Sequence, residues 1–155
     1  MQSSSVFEWL STSPWANAMN GPEWAFPVVQ SVHFMGFALS IGTIAIVDLR
    51  LVGIGMRRQT AAQLAADLAP WTLSGIVVML ITGFLLFSAD AVVYHVNPSF
   101  QFKMICLAAA LLFHFTVHRR ATGPQVPPMA AKLAGCLSLA LWIAVVAGGR
   151  MIAFV

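Results

Sequence analysis

The chain has 155 residues, 59% of them hydrophobic and only 8% charged, and its mean hydropathy is +0.85. Soluble domains carry about 25% charged residues. A chain this poor in charge cannot cover a water-facing surface, so a soluble globular domain is excluded and lipid is the expected solvent. The formal charge of +3 does not point to nucleic acid, because the few Lys and Arg residues sit at the ends of apolar segments.

From the N-terminus, residues 2–23 are polar and punctuated. Ser5-Val6-Phe7-Glu8 fits a capping box and Ser13-Pro14 fits an N-cap followed by an N1 proline. With Trp9, Trp15 and Trp24 spread through it, this segment predicts one or two short interfacial helices with indoles at headgroup level. No basic n-region precedes the first apolar run, since Arg50 is the first Lys or Arg, so the first membrane helix is expected to act as an uncleaved insertion signal.

Helix one is uncharged from Trp24 to Val47 and ends at Asp48-Leu49-Arg50. Thr60-Ala61-Ala62-Gln63 is a second capping-box pattern and predicts a short linker helix up to Pro70. Helix two is uncharged from Leu68 to Ala89 and is expected to pass Asp90 and stop before Asn97-Pro98. Helix three starts near Phe100, carries Lys103 in its first turn and closes at His118-Arg119-Arg120. A rigid loop with Gly123, Pro124, Pro127 and Pro128 follows, and helix four ends at Arg150. The prediction is thus one all-α domain over 1–155, an antiparallel four-helix membrane bundle with helices at about 24–50, 68–96, 100–118 and 131–152.

Arg50, Arg57, Arg58, Arg119, Arg120 and Lys132 fall in the loops after helices one and three. The positive-inside rule puts those loops in the cytoplasm and both termini on the periplasmic side of a bacterial inner membrane. Small residues predict close helix contacts: Gly36 and Ser40 on helix one, Gly75 and Gly83 on helix two, and Ala140, Ala144 and Gly148 on helix four. Cys106 and Cys136 lie in apolar runs and read as small buried residues.

Four histidines are the candidate chemistry, because an ionisable group at membrane depth is costly. Counted from Trp24, His33 lies about 13 Å into the membrane, and counted from Lys103, His114 lies about 16 Å in from the same side. Two imidazoles at similar depth on facing helices are what a b-type haem needs. On this reading His33 and His114 are the axial ligands, Gly36 and Ser40 leave room for the macrocycle, and Lys103 and Arg150 hold the propionates. His118 is expected at the inner rim and His95 at the outer surface. Asp48 is expected to pair locally with Arg50, the alternative being a proton or cation inlet. A second set is soft: Met35, Met79, Met104 and Cys106, with His33 and His95, could take copper. No nucleophile–base pair, Gly-rich phosphate loop or zinc spacing is present, and whether the protein is an enzyme stays open.

These pieces resemble an uncharacterised family of small bacterial four-span membrane proteins. The likeness rests on Ser31-Val32-His33-Phe34-Met35-Gly36, Asp48-Leu49-Arg50-Leu51-Val52-Gly53, Phe102-Lys103-Met104, Phe113-His114, Val117-His118-Arg119-Arg120 and Gly149-Arg150-Met151-Ile152-Ala153. More distantly the chain is similar to HemJ-type protoporphyrinogen oxidases and to copper-resistance protein D membrane domains. The HemJ resemblance implies haem binding, with His33 and Lys103 in the places of that family's first-helix histidine and third-helix lysine. The Lys and Trp that precede the histidine in that family are missing, so its oxidase activity is not implied. The function expected is electron transfer within the membrane by a b-type haem, with quinone or a periplasmic redox protein as partner. The alternatives are copper handling and a non-catalytic part of a larger membrane complex or homo-oligomer.

Overall fold

A computed structural model describes residues 2–55 and 58–154, and the side chains of all of these except 2–5 and 153. Arg57, counted above among the basic loop residues, lies outside the described residues. Four of the described helices are long and apolar enough to cross a membrane: α3 (Ala25–Val52), α4 (Ala61–Ala89), α6 (Pro98–Phe113, continued to Ala121) and α8 (Pro128–Met151).

Two short helices precede the bundle, α1 (Gln2–Ser11) and α2 (Pro14–Asn20). Helix α1 already runs from Gln2, so Ser5 is inside it and is not its cap. Ser13 does cap α2, its hydroxyl accepting the Ala16 N–H at 3.3 Å with Pro14 at N1. Asn20 Nδ2 donates to the Ala89 carbonyl at 2.8 Å and ties this segment to the end of α4. Trp9, Trp15 and Trp24 remain exposed on it.

Helix α3 ends in a Schellman turn. Gly53 adopts φ 99° and Ile54 N–H reaches back to the Leu49 carbonyl at 2.8 Å, a left-handed conformation that glycine takes without a Cβ penalty. Thr60 then opens α4 with a complete capping box: its hydroxyl accepts the Gln63 N–H at 3.2 Å, and Gln63 Oε1 accepts the Thr60 N–H at 3.0 Å. Thr60→Ala is expected to lower stability by about 1 kcal/mol in a detergent melt, since it leaves the Gln63 N–H without its cap.

The helix does not stop at Pro70 as expected; linker and span are one continuous α4. Leu64, near its start, packs with Val47, Leu51, Ala121 and Ala134. That packing holds the first turns in line and outweighs the hydrogen bond that Pro70 cannot make. At the far end α4 stops at Ala89, not Val96. Asp90 leaves the helical region (φ −150°, ψ 54°), and a single turn, α5 (Ala91–Tyr94), follows. Asn97 caps α6 through the Phe100 N–H at 3.1 Å with Pro98 at N1, so helix three begins before the expected Phe100. Past Phe113 the chain winds as a π-helix over His114–His118 and returns to α-form in α7 (Arg119–Ala121). Helix α8 starts at Pro128.

The closest backbone approaches are α3 with α4, α3 with α8 and α6 with α8; α4 and α6 stand further apart. Gly36 and Gly75 set the first of these. A Cβ on Gly75 would lie 2.7 Å from Ser40 N and 2.8 Å from the Gly36 carbonyl oxygen. On α8 the expected stripe is only partly right: Gly148 sits against Phe102 and Lys103, but Ala140 is exposed. The buried face is Ala134, Gly135, Ser138, Trp142, Val145 and Gly148. Cys136 also faces outward, contrary to expectation. Ile44, Met79, Leu107, Ala110, Trp142 and Val145 fill the middle of the bundle, while Phe34, Met35, Ile81, Ile105, Leu112 and Ile143 point away from it. Large apolar side chains outside and hydroxyls inside are what a helical bundle in lipid requires.

Candidate functional site

The ionisable side chains buried in the spans gather in two layers, separated by the apolar cluster around Ile44 and Trp142 and by the Thr43–Thr72 hydroxyl pair. The outer layer is built on His33. Its Nδ1 lies 3.0 Å from Thr82 Oγ1, and its ring rests on Gly83, where an added Cβ would come within 3.1 Å of Cε1. The Thr82 hydroxyl gives its own proton to the Val78 carbonyl at 2.6 Å. Its oxygen is therefore left to accept, which favours the tautomer in which His33 donates from Nδ1 and keeps its lone pair on Nε2. Lys103 comes to the same level from α6. Its aliphatic stem lies over Gly148 and Gly149, and its charge is within electrostatic reach of the His33 ring. Arg150, one residue on, is exposed.

The inner layer is built on Asp48, which is completely buried. His118, 3% exposed, places Nε2 2.6 Å from Asp48 Oδ1. His114, one turn earlier, stacks on His118 with ring centroids 5.0 Å apart at 26°. Three buried polar atoms near this level hold no hydrogen-bond partner among the described residues: Asp48 Oδ2, His114 Nδ1 and Ser138 Oγ. Gly135 makes the close packing possible, since a Cβ there would meet the Asp48 carbonyl oxygen at 2.8 Å.

Several expectations change. Asp48 does not pair with Arg50. Residues two apart on a helix point about 200° apart, and Arg50 Nε instead donates to the Gln59 carbonyl at 2.8 Å. His118 is buried in the bundle and not a rim residue. His33 and His114 do not share a level. His118 faces Asp48, so His114 lies about 6 Å above it and His33 about 22 Å above it along α3, a separation of about 16 Å. The depth count failed because Lys103 was taken as the membrane edge, whereas α6 begins at Pro98 and Lys103 is already at the level of His33. One iron cannot bind both imidazoles. Gly36 and Ser40 do not leave a slot either, because α4 fills that face.

The soft set also disperses. Met35 is 72% exposed, Met79 is in the core at 3%, and Met104 is 44% exposed. Cys106 is half-buried beside the core. His95 lies at the end of the bundle that carries the N-terminal helices, with Nδ1 donating to the Ala91 carbonyl at 3.1 Å and its ring stacked 4.2 Å from Phe7. Beside it, burial and the Asp90 carboxylate push the Tyr94 phenol above its ordinary pKa.

The Asp48–His118 pair is what sequence reasoning missed. The signal was there in part: an acidic residue closing one apolar span and a His-x-x-x-His spacing closing another on the same side. Neither comparison with curated proteins nor comparison with solved structures gives a match. The profile of a family of unknown function (DUF6644) matches residues 6–155, nearly the whole chain, and the protein belongs to that family.

Proposed function

We propose that this protein is a b-type haem protein of the bacterial inner membrane that passes electrons within the bilayer, with His33 as its axial ligand. The observation that carries the reading is the 3.0 Å contact between His33 Nδ1 and the Thr82 hydroxyl. Thr82 holds the Nδ1–H and leaves the Nε2 lone pair for a metal, the outer-sphere arrangement typical of a ligating histidine. Lys103 stands at the same level, in the place of the HemJ family's third-helix lysine, and its ammonium would suit a propionate or, once deprotonated, its amine the iron. The basic loops lie inside and the termini outside, so this layer belongs to the periplasmic half, within reach of quinone or a periplasmic redox partner.

The test is a dithionite-reduced minus oxidised spectrum of protein made with ample haem, compared across three variants. Wild type and His114→Ala are expected to show a sharp α-band, His33→Ala to lose it, and Thr82→Val to weaken it. A featureless wild-type spectrum, or a band that survives His33→Ala, overturns the reading and turns attention to copper content and co-purifying subunits.

A further inference from the structure

We propose that Asp48, His118 and His114 form a proton-exchanging site in the membrane, open to the side of the basic loops and closed toward the other. The haem reading uses none of these residues, and this proposal does not rest on it.

An intramembrane carboxylate is retained only where something offsets its desolvation, and such residues commonly carry protons or ions. Here the offset is one short contact. His118 Nε2 and Asp48 Oδ1 stand 2.6 Å apart with both side chains buried, so a single proton sits between two groups that can each hold it. The exchange is balanced. The N–H bond of a His118 imidazolium breaks as an O–H bond forms on Asp48 Oδ1, giving neutral imidazole and carboxylic acid with no change in total charge. Reprotonation of the imidazole from the loop side completes uptake of one proton.

The surroundings give this site an inside and an outside. On the loop side stand the cations of each packed element: Arg50 on α3, Arg119 and Arg120 on α7, Lys132 on α8, and Arg58 in the loop between α3 and α4. Asp67 on α4 is the acidic group on that side and is exposed. Besides Asp48 Oδ2, two further polar atoms have no hydrogen-bond partner among the described residues and stand toward the bundle middle, His114 Nδ1 and Ser138 Oγ. Ser138 lies about 4.5 Å beyond Gly135 along α8 and His114 about 6 Å beyond His118, so both lie inward of Asp48. Buried polar atoms left over in one layer are the usual partners of internal water. Beyond them Thr72 donates to Thr43 at 2.8 Å, and then Ile44, Met79, Leu107, Trp142 and Val145 close the path with apolar atoms. A proton can therefore enter and leave on one side without crossing.

The π-helical turn supports a working role over a purely structural one. It runs from His114 to His118, so the two imidazoles of the site are its end residues. Such turns place an extra residue in a helix at a cost in regularity and occur frequently at functional sites.

The experiment is infrared difference spectroscopy of the full chain in lipid, without added haem, between about pH 5 and 9. The expected result is a carboxylic-acid C=O band, at the higher frequency of an acid shielded from water, that changes with pH. It should be lost in Asp48→Asn and shifted in His118→Gln, whereas exposed carboxyls give bands unmoved by either variant. If Asp48→Asn does not fold, the wild-type titration and His118→Gln decide. A wild-type spectrum with no shielded carboxyl band that moves with pH overturns the proposal, as does a band indifferent to His118→Gln.

Discussion

Asp48→Leu is expected to lower the unfolding free energy by about 3–5 kcal/mol, the cost of leaving the other member of a buried pair alone. His118 would keep its place at 3% exposure with its Nε2 facing carbon. Interhelical hydrogen bonds in membranes are worth only about 0.6 kcal/mol on average, so the pair's attraction is not the main term. The abandoned partner is. The double variant Asp48→Leu/His118→Leu should therefore recover most of the loss, since an apolar pair of similar volume often matches or exceeds a buried ion pair. Reversible unfolding of the four proteins in mixed micelles gives the cycle. Additive losses would show that the two side chains act separately and would sink the account.

Gly75→Ala is the second large effect, and it arises from a single methyl group. Its Cβ would stand 2.7 Å from Ser40 N and 2.8 Å from the Gly36 carbonyl oxygen, both backbone atoms of α3 that cannot turn aside. Helices α3 and α4 would have to separate, disturbing the Thr43–Thr72 bond and the His33–Thr82 bond on the same seam. The expected loss is about 1–3 kcal/mol, typical of overpacking. Gly42→Ala is the control. Nothing lies within 4 Å of its added Cβ, and Ala is favoured over Gly in a helix by about 1 kcal/mol. The two variants should thus shift the melting temperature in opposite directions, and a common direction would refute the seam.

The four spans were legible because charge-free stretches bounded by arginine leave lipid as the only solvent. The closeness of α3 to α4 was legible too, in Gly36, Ser40 and Gly75, because small residues at helical spacing can face only a neighbour. What failed was anything that needed a common ruler between helices. Depth along one helix follows from counting, but the count needs an origin, and Lys103 was the wrong one. A lysine can lie a full turn or more inside when two glycines, Gly148 and Gly149, give its stem a groove. The start of α6 at Pro98 moved every residue behind it relative to α3. The Asp48–His118 pair was hidden for a related reason: its members are 70 residues apart, and each alone looks like an ordinary span end. Pro70 misled because local rules describe a helix in isolation, whereas α4 is held from outside by α3.

The π turn has one further consequence, for how the two ends of helix three are phased. A single extra residue in a regular helix advances everything after it by about 100°. The stretch from Pro98 to Phe113 and the stretch from Arg119 to Ala121 are therefore like two gear wheels mounted out of step on one axle. The side that meets α8 in the upper part is not the side that would have met it below. In the lower stretch His118 and Ala121 turn inward, while Arg119 and Arg120 stay outside. The extra residue works as a clutch: it lets the lower turn be set for Asp48 independently of the upper turns set for Gly148.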